Sequence, residues 1–591
     1  MMKQRSKRTA AVAACACIAA AGIAIICTGC PQQNLPFKAL ETVTAEDGST
    51  WERVVEPGFG NDNNISVAAL GEYRGSMYAT TRNDAEGTEV WRTSDNTWEQ
   101  VQIVHGQTHG IYGNTMINNL WSKMIIFRDK LYVGFSSGLQ GAVLRSSGCE
   151  IWRYDGTVWE PVVSDRLDTD EEGTITAIAG CADDDGDITA EVTDSSKNWA
   201  VDQWAGGVLQ ITSGEGAYRR FDIVSNTADT LTVQQNETSG DYGREYTVCG
   251  SKHYSNPFPA YEYDLGSVEA GDSYQIGMEN DENGFGDYWN KTITEMLIFD
   301  DKLYVSTGLN YDHGAQVWYS EDGDTWQVTE PPNSFGNYHS GANYYKDSLK
   351  AVSSSISDIA VSDVSGKPVL YAGGTGTSCS TCSGNKGACT RMAKLNNNQW
   401  ELIVDAGVDE NDTGTNENGF GDGMGCTISN GNYMAWSIQQ YKNNLYIGIN
   451  SLGGARVLYT ANGSSEDDSW DFSVGAGTPY PVGFSGKLVD TDDPLLKGTY
   501  RNIALNLFVF DDVLYAGVIA QKSEKAQTGT PLWKTSDGVT WTLVTDNSFG
   551  QTAALAFEGF ATFNDTMYVG VNMASSSQSN EGGATIFRLA Q

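Results

Sequence analysis

One short pattern recurs along this chain of 591 residues: an aromatic residue, a polar turn, then a Leu-Tyr or Met-Tyr pair. It reads YRGSMY at Tyr73–Tyr78, FRDKLY at Phe127–Tyr132, FDDKLY at Phe299–Tyr304, YKNNLY at Tyr441–Tyr446, FDDVLY at Phe510–Tyr515 and FNDTMY at Phe563–Tyr568. A looser seventh copy, GKPVLYAGG, surrounds Tyr371. The best-preserved unit, Met296–Val328, holds four short apolar or alternating runs (MLIF, KLYVST, AQVWYS, TWQV) separated by turn residues, which predicts a four-stranded antiparallel meander. A single such sheet cannot bury both faces, so the copies must pack on one another.

A second marker sits at the outer strand of each unit: Trp51, Trp98, Trp159, Trp326, Trp400, Trp470 and Trp541. The two sets are out of phase. Trp51 precedes every Leu-Tyr pair, whereas the last pair, Met567-Tyr568, is followed by ATIFRLAQ with no tryptophan strand. The N-terminal strand should therefore complete the C-terminal sheet. Seven four-stranded units with a permuted seam describe an all-β, seven-bladed β-propeller. Between residues 164 and 254 the period is lost, and alternating runs there predict a small inserted all-β module. The expected organisation is a signal segment at 1–29, a linker at 30–49, the propeller at 50–163 and 255–591, and the insertion at 164–254.

Four basic residues (Lys3, Arg5, Lys7, Arg8), an apolar run over Ala10–Ile26 and Thr28-Gly29-Cys30 make an export signal. It resembles a bacterial lipoprotein signal, which implies acylation at Cys30, although Cys27 stands where a Leu is usual. An exported, membrane-tethered or secreted protein is expected. In that setting Cys181, Cys249, Cys379, Cys382, Cys389 and Cys426 are disulfide candidates, with zinc ligation by the last four as the competing reading. The formal charge of −38 repels phosphate backbones and argues against nucleic acid as a partner.

SEDGDTW (Ser320, Asp322, Gly323, Trp326) and TSDGVTW (Thr535, Asp537, Gly538, Trp541) resemble the Asp-box (BNR) turn of sialidase-like propellers, one residue short of its usual form. The resemblance implies a structural turn, with Asp and Ser/Thr bonding the local backbone and the Trp packing over it. It does not extend to the sialidase site: the Phe/Tyr-Arg-Ile-Pro stretch of that family is missing, and the arginines fall mostly in turns or outer strands.

With strands A to D counted outward from the axis, A–B and C–D turns share one face, while D–A and B–C loops share the other. The second face carries the variation and is the expected binding surface. A repeated G/S-F-G at 58–60, 284–286, 334–336, 419–421 and 548–550 reads as a tight turn with its Phe packed between blades. The candidate ligand residues on this face are His105, His109, Asp287, Tyr288, Trp289, His313, Tyr338 and His339. Asp281, Asn283 and Asp287 form a possible Ca²⁺ oxygen set. The functional expectation is a surface module that binds a glycan or an envelope protein, with a glycoside hydrolase of non-sialidase type as the alternative and a structural subunit of a surface assembly as the third. Catalysis stays open; Glu295 is singled out near the axis without a partner for it.

Overall fold

The computed structural model describes residues 39–590, apart from 102–121, 137–147, 215–219, 237–244, 255–267, 330–352, 377–389, 405–433, 464–469, 485–501, 521–528, 574–582 and stretches of one to three residues. Seven antiparallel blades make the ring, the last two joined into one sheet by the pairing of Ile519 with Ala556. Their inner strands are Asn64–Tyr73, Ser122–Phe127, Thr292–Phe299, Ser353–Ser362, Met434–Tyr441, Asn502–Phe510 and Ala554–Phe563, for blades one to seven. Each is followed by a second strand that carries the Leu-Tyr or Met-Tyr pair. The turns between them place Asp300 and Asp301, or Asp511 and Asp512, at φ of 47–62°, the left-handed geometry of a tight two-residue hairpin.

The seam closes as the motif order requires. Thr50–Arg53 pairs with Thr585–Leu589, setting Trp51 opposite Leu589 and Arg53 opposite Phe587. Glu41–Thr44, which the sequence leaves in a linker, adds a fifth strand outside Thr50–Arg53. The inserted module forms a seven-stranded sheet around its own core of Trp199, Leu209, Phe221, Ile223, Tyr274 and Ile276. Its partner for Arg166–Thr174 is Ser273–Asn280, so the module runs on to Asn280, past the expected end at residue 254. The return strand carries no repeat signature to mark it.

The recurring residues lock each blade to the next. The Tyr of one blade packs its hydroxyl over the turn glycine of its neighbour: Tyr132 on Gly323, Tyr371 on Gly463, Tyr446 on Gly538. In that turn Thr535 Oγ1 accepts from Gly538 N (2.9 Å), while Asp537 Oδ1 accepts from Val539 N (2.9 Å) and Thr540 N (2.6 Å). The Ser320–Thr325 turn is built the same way, and its backbone donors hold the Asp322 carboxyl down at about 2. Gly538 has φ of 86°, and a methyl group there would overlap the Tyr446 hydroxyl. Gly538→Ala should therefore cost about 2–4 kcal/mol, from left-handed strain and overpacking together. A thermal midpoint unchanged by this substitution would refute the interlock.

The G-F loops serve the outer strands. Phe59, Phe285 and Phe549 all sit at left-handed φ of 58–64°. Phe59 stacks on Trp91 at 4.9 Å, Phe285 on Trp318 at 4.7 Å, and Phe549 lies 4.8 Å from Trp51. A buried asparagine braces two of these loops: Asn64 Nδ2 donates to Gly58 O (2.9 Å), and Asn290 Nδ2 to Gly284 O (2.8 Å). Gly483-Phe484, absent from the sequence reading, is a further copy, braced by Asn502 at 2.7 Å and stacked on Trp533.

Candidate functional site

The inner strand of a blade has no further strand on its axial side, so its side chains and irregularities shape the central channel. Four of these strands carry a β-bulge at the same level, between Val67 and Ala69, Ile293 and Glu295, Ile356 and Asp358, and Ala435 and Ser437. A bulge leaves one residue unpaired and re-aims its neighbours. The fourth residue before the end of each inner strand, in blades one to six, is Ala69, Lys123, Glu295, Asp358, Ser437 and Asn506. In blade seven the bulge between Glu558 and Ala561 brings Glu558 to this level. Six of seven positions are thus polar in strands that are otherwise mostly apolar.

Some of these polar groups are spent on holding the ring together. Ser437 Oγ accepts from Leu507 N of the next blade (3.1 Å), and Asn506 Nδ2 donates to Phe557 O (2.9 Å). Asp358 Oδ2 accepts from Ile438 N (2.6 Å), which leaves its other oxygen uncommitted by that staple. Glu558 accepts from Asn572 Nδ2 (2.5 Å), whose own Oδ1 takes Val67 N. Lys123 and Glu295 pair across blades two and three at 2.8 Å, with 35% and 27% of their side chains exposed. Glu295 Oε1 also accepts from Met296 N (2.9 Å).

The electrostatics separate the carboxyls. Burial, reinforced by the Glu295 charge, raises Asp358 well above the ordinary carboxylate range, against the opposing pull of Lys123 and the Ile438 and Ile359 amides. Burial raises Glu558 too, against Lys123, Arg82 and Asn572. For Lys123 burial works against the charge, but the carboxyls of Glu295, Asp358 and Glu558 outweigh it and hold the ammonium above its usual value. Burial and the Glu295 charge thus both favour the protonated form of Asp358 beside the Glu295–Lys123 pair. A carboxyl whose surroundings favour its acid form, next to a carboxyl held by a lysine, is an arrangement suited to general acid and base chemistry.

The raised value has a sign that stability measurements can read. A carboxyl whose folded pKa lies above its unfolded one, about 3.9 for Asp, contributes stability that is complete below the unfolded value and is lost as pH rises through the folded one. Asp358→Asn, which keeps an acceptor for Ile438 N, should flatten this loss. Wild type and variant melting curves that run parallel from pH 4 to 8 would contradict the assignment.

The loop-face candidates come out differently. His105, His109, Asp281, Tyr288, Trp289, His313, Tyr338 and His339 lie outside the described residues, as do Cys30, Cys249, Cys379, Cys382, Cys389 and Cys426. Cys181 lies in the strand Ala177–Asp184 and Asn283 in a 3-10 turn, neither with a described side chain. Asp287 is described, and its Oδ2 accepts from Asn310 Nδ2 (3.0 Å). Among the described residues no cluster of three metal-ligating side chains occurs, and Cys149 is a buried free thiol. The sequence reading missed Lys123, Asp358 and Glu558. Their shared signal is distance from the end of the inner strand.

No family model matches the chain, and no curated protein matches it. Solved structures similar to it include a phage phi92 endosialidase, at 12% identity and a TM-score of 0.32 over 93% of this chain and 69% of that one. A Penicillium chrysogenum α-L-arabinanase complexed with arabinobiose is similar at 8% identity and 0.33, over 93% and 98%. Saccharomyces cerevisiae Sqt1 is similar at 11% and 0.35, over 90% and 98%.

Proposed function

We propose that the protein is a glycoside hydrolase of non-sialidase type whose reacting groups lie in the central channel. The observation that carries this reading is the buried Asp358 close to the Lys123-paired Glu295 on the adjacent blade, where burial and the Glu295 charge favour its acid form. Asp358 donates its proton to the leaving glycosidic oxygen. Glu295 takes a proton from the water that attacks the anomeric carbon, and Lys123 holds the Glu295 carboxyl in place at 2.8 Å. The ring level carries lysine and no arginine, so an arginine triad for a substrate carboxylate is not among its seven positions. This reading takes precedence over the loop-face binder, because its residues are brought together in the described structure.

The test is release of reducing ends from a panel of polysaccharides by the full chain. Activity should fall at alkaline pH as Asp358 loses its proton. Saturable retention without products would return the protein to the binding class. A lipid tether at Cys30 belongs to the same picture of an exported enzyme, and labelled fatty acid that is incorporated equally by a Cys30→Ala variant would remove it.

A further inference from the structure

The bulges do more than tilt the acids. In blades four and five the unpaired residues are Ser357 and Trp436, equivalent positions on neighbouring inner strands and therefore side by side at one height in the channel. Trp436 is half-buried and joins none of the ring's apolar cores, unlike Trp470 of the same blade, which packs into one. Its indole Nε1 donates to Asn506 Oδ1 (3.1 Å), and Asn506 is itself fixed to Phe557 O. The fold thus spends an asparagine on setting the angle of an aromatic ring that contributes to no core. Beside it, Ser357 keeps a buried hydroxyl with no hydrogen-bond partner among the described residues, next in sequence to Asp358. A polar group left unmatched by the fold costs free energy unless something else pairs with it.

We infer that Trp436 is the platform on which an uncharged sugar ring lies, so that its glycosidic oxygen meets Asp358, and that the substrate class is a neutral glycan. This rests on the hydrolase reading of the channel. An indole offers a rigid apolar face with its one polar atom already engaged, which suits the C–H face of a pyranose or furanose. Charge sets the class: among the described residues this level already gathers three carboxyls, Glu295, Asp358 and Glu558, against Lys123, which is paired with Glu295, and Arg82 near Glu558, so a glycan carboxylate would add to an excess of acid groups. Trp436 touches substrate without exchanging a proton, and Asn506 is a positioning residue behind it.

The test uses the full chain on immobilised neutral glycans (arabinan, xylan, mannan, cello-oligosaccharides) and acidic ones (polygalacturonate, sialyllactose, hyaluronan), with retention and product release scored separately. Neutral glycans should be held at least tenfold more tightly than acidic ones of similar length. Trp436→Ala should weaken retention about three- to tenfold, and Trp436→Phe should recover most of it. Glu295→Gln should stop product release while keeping retention. Preference for acidic glycans, or a Trp436→Ala variant that binds as well as wild type, overturns the platform even if Glu295→Gln has abolished turnover and the hydrolase stands. Trp436-dependent retention of neutral glycans without products supports the platform and overturns hydrolysis, and no retention of any glycan overturns both.

Discussion

Glu295→Gln is expected to lower turnover by about 10²–10⁴-fold, the usual contribution of a positioned carboxylate, while the ring stays folded. The substitution is close to isosteric, and its amide oxygen can still accept from Met296 N, as Oε1 does at 2.9 Å. Lys123 loses its partner but keeps about a third of its side chain exposed to the channel, so water can take over part of the role. A second consequence distinguishes this variant from a merely damaged protein. The Glu295 charge is, after burial, the main cause of the elevated Asp358 value. Neutralising it should bring Asp358 down, and the alkaline limb of any residual activity should move to lower pH. The same shift should appear in the pH dependence of thermal stability, where no substrate is needed. Full activity in Glu295→Gln, or an alkaline limb that stays put, would break the assignment of roles.

The second large effect is structural. Trp51→Ala should destabilise the protein by about 3–5 kcal/mol, because the indole is fully buried in the core of blade seven and leaves a large cavity. Trp51 lies 4.8 Å from Phe549 and is paired in register with Leu589, while its Nε1 donates to Ser49 Oγ (3.0 Å). Its removal therefore loosens the one blade that holds both ends of the described chain. Calorimetry should show a single large drop in midpoint, and limited proteolysis should clip the strands Glu41–Thr44 and Thr50–Arg53 first. Val539→Ala, at a position 42% exposed, should stay within about 0.5 kcal/mol as the control.

The ring was legible because its marker residues answer to fixed geometric needs. A Tyr must reach the turn glycine of the next blade, and a Trp must sit beneath a G-F loop, so both recur at recognisable spacing. The seam could be read from their phase alone. The end of the inserted module could not, since Ser273–Asn280 returns to its sheet without any repeated residue. The channel acids hid for a different reason. Their position is shared, but Lys123, Glu295, Asp358 and Glu558 have no residue type in common and are scattered from blade two to blade seven. A one-residue bulge decides which side chain turns to the axis, and nothing in an alternating strand announces it. Glu295 stood out in the sequence, but its partners needed the register.

The pairing of Thr50–Arg53 with Thr585–Leu589 also fixes a timetable. The outer ribbon of the last blade is synthesised before all seven inner strands of the ring, and its partner after them. Six blades can assemble from neighbouring stretches of chain, but closure must wait until every inner strand has been made and then join segments far apart in sequence, the slow kind of contact in any folding reaction.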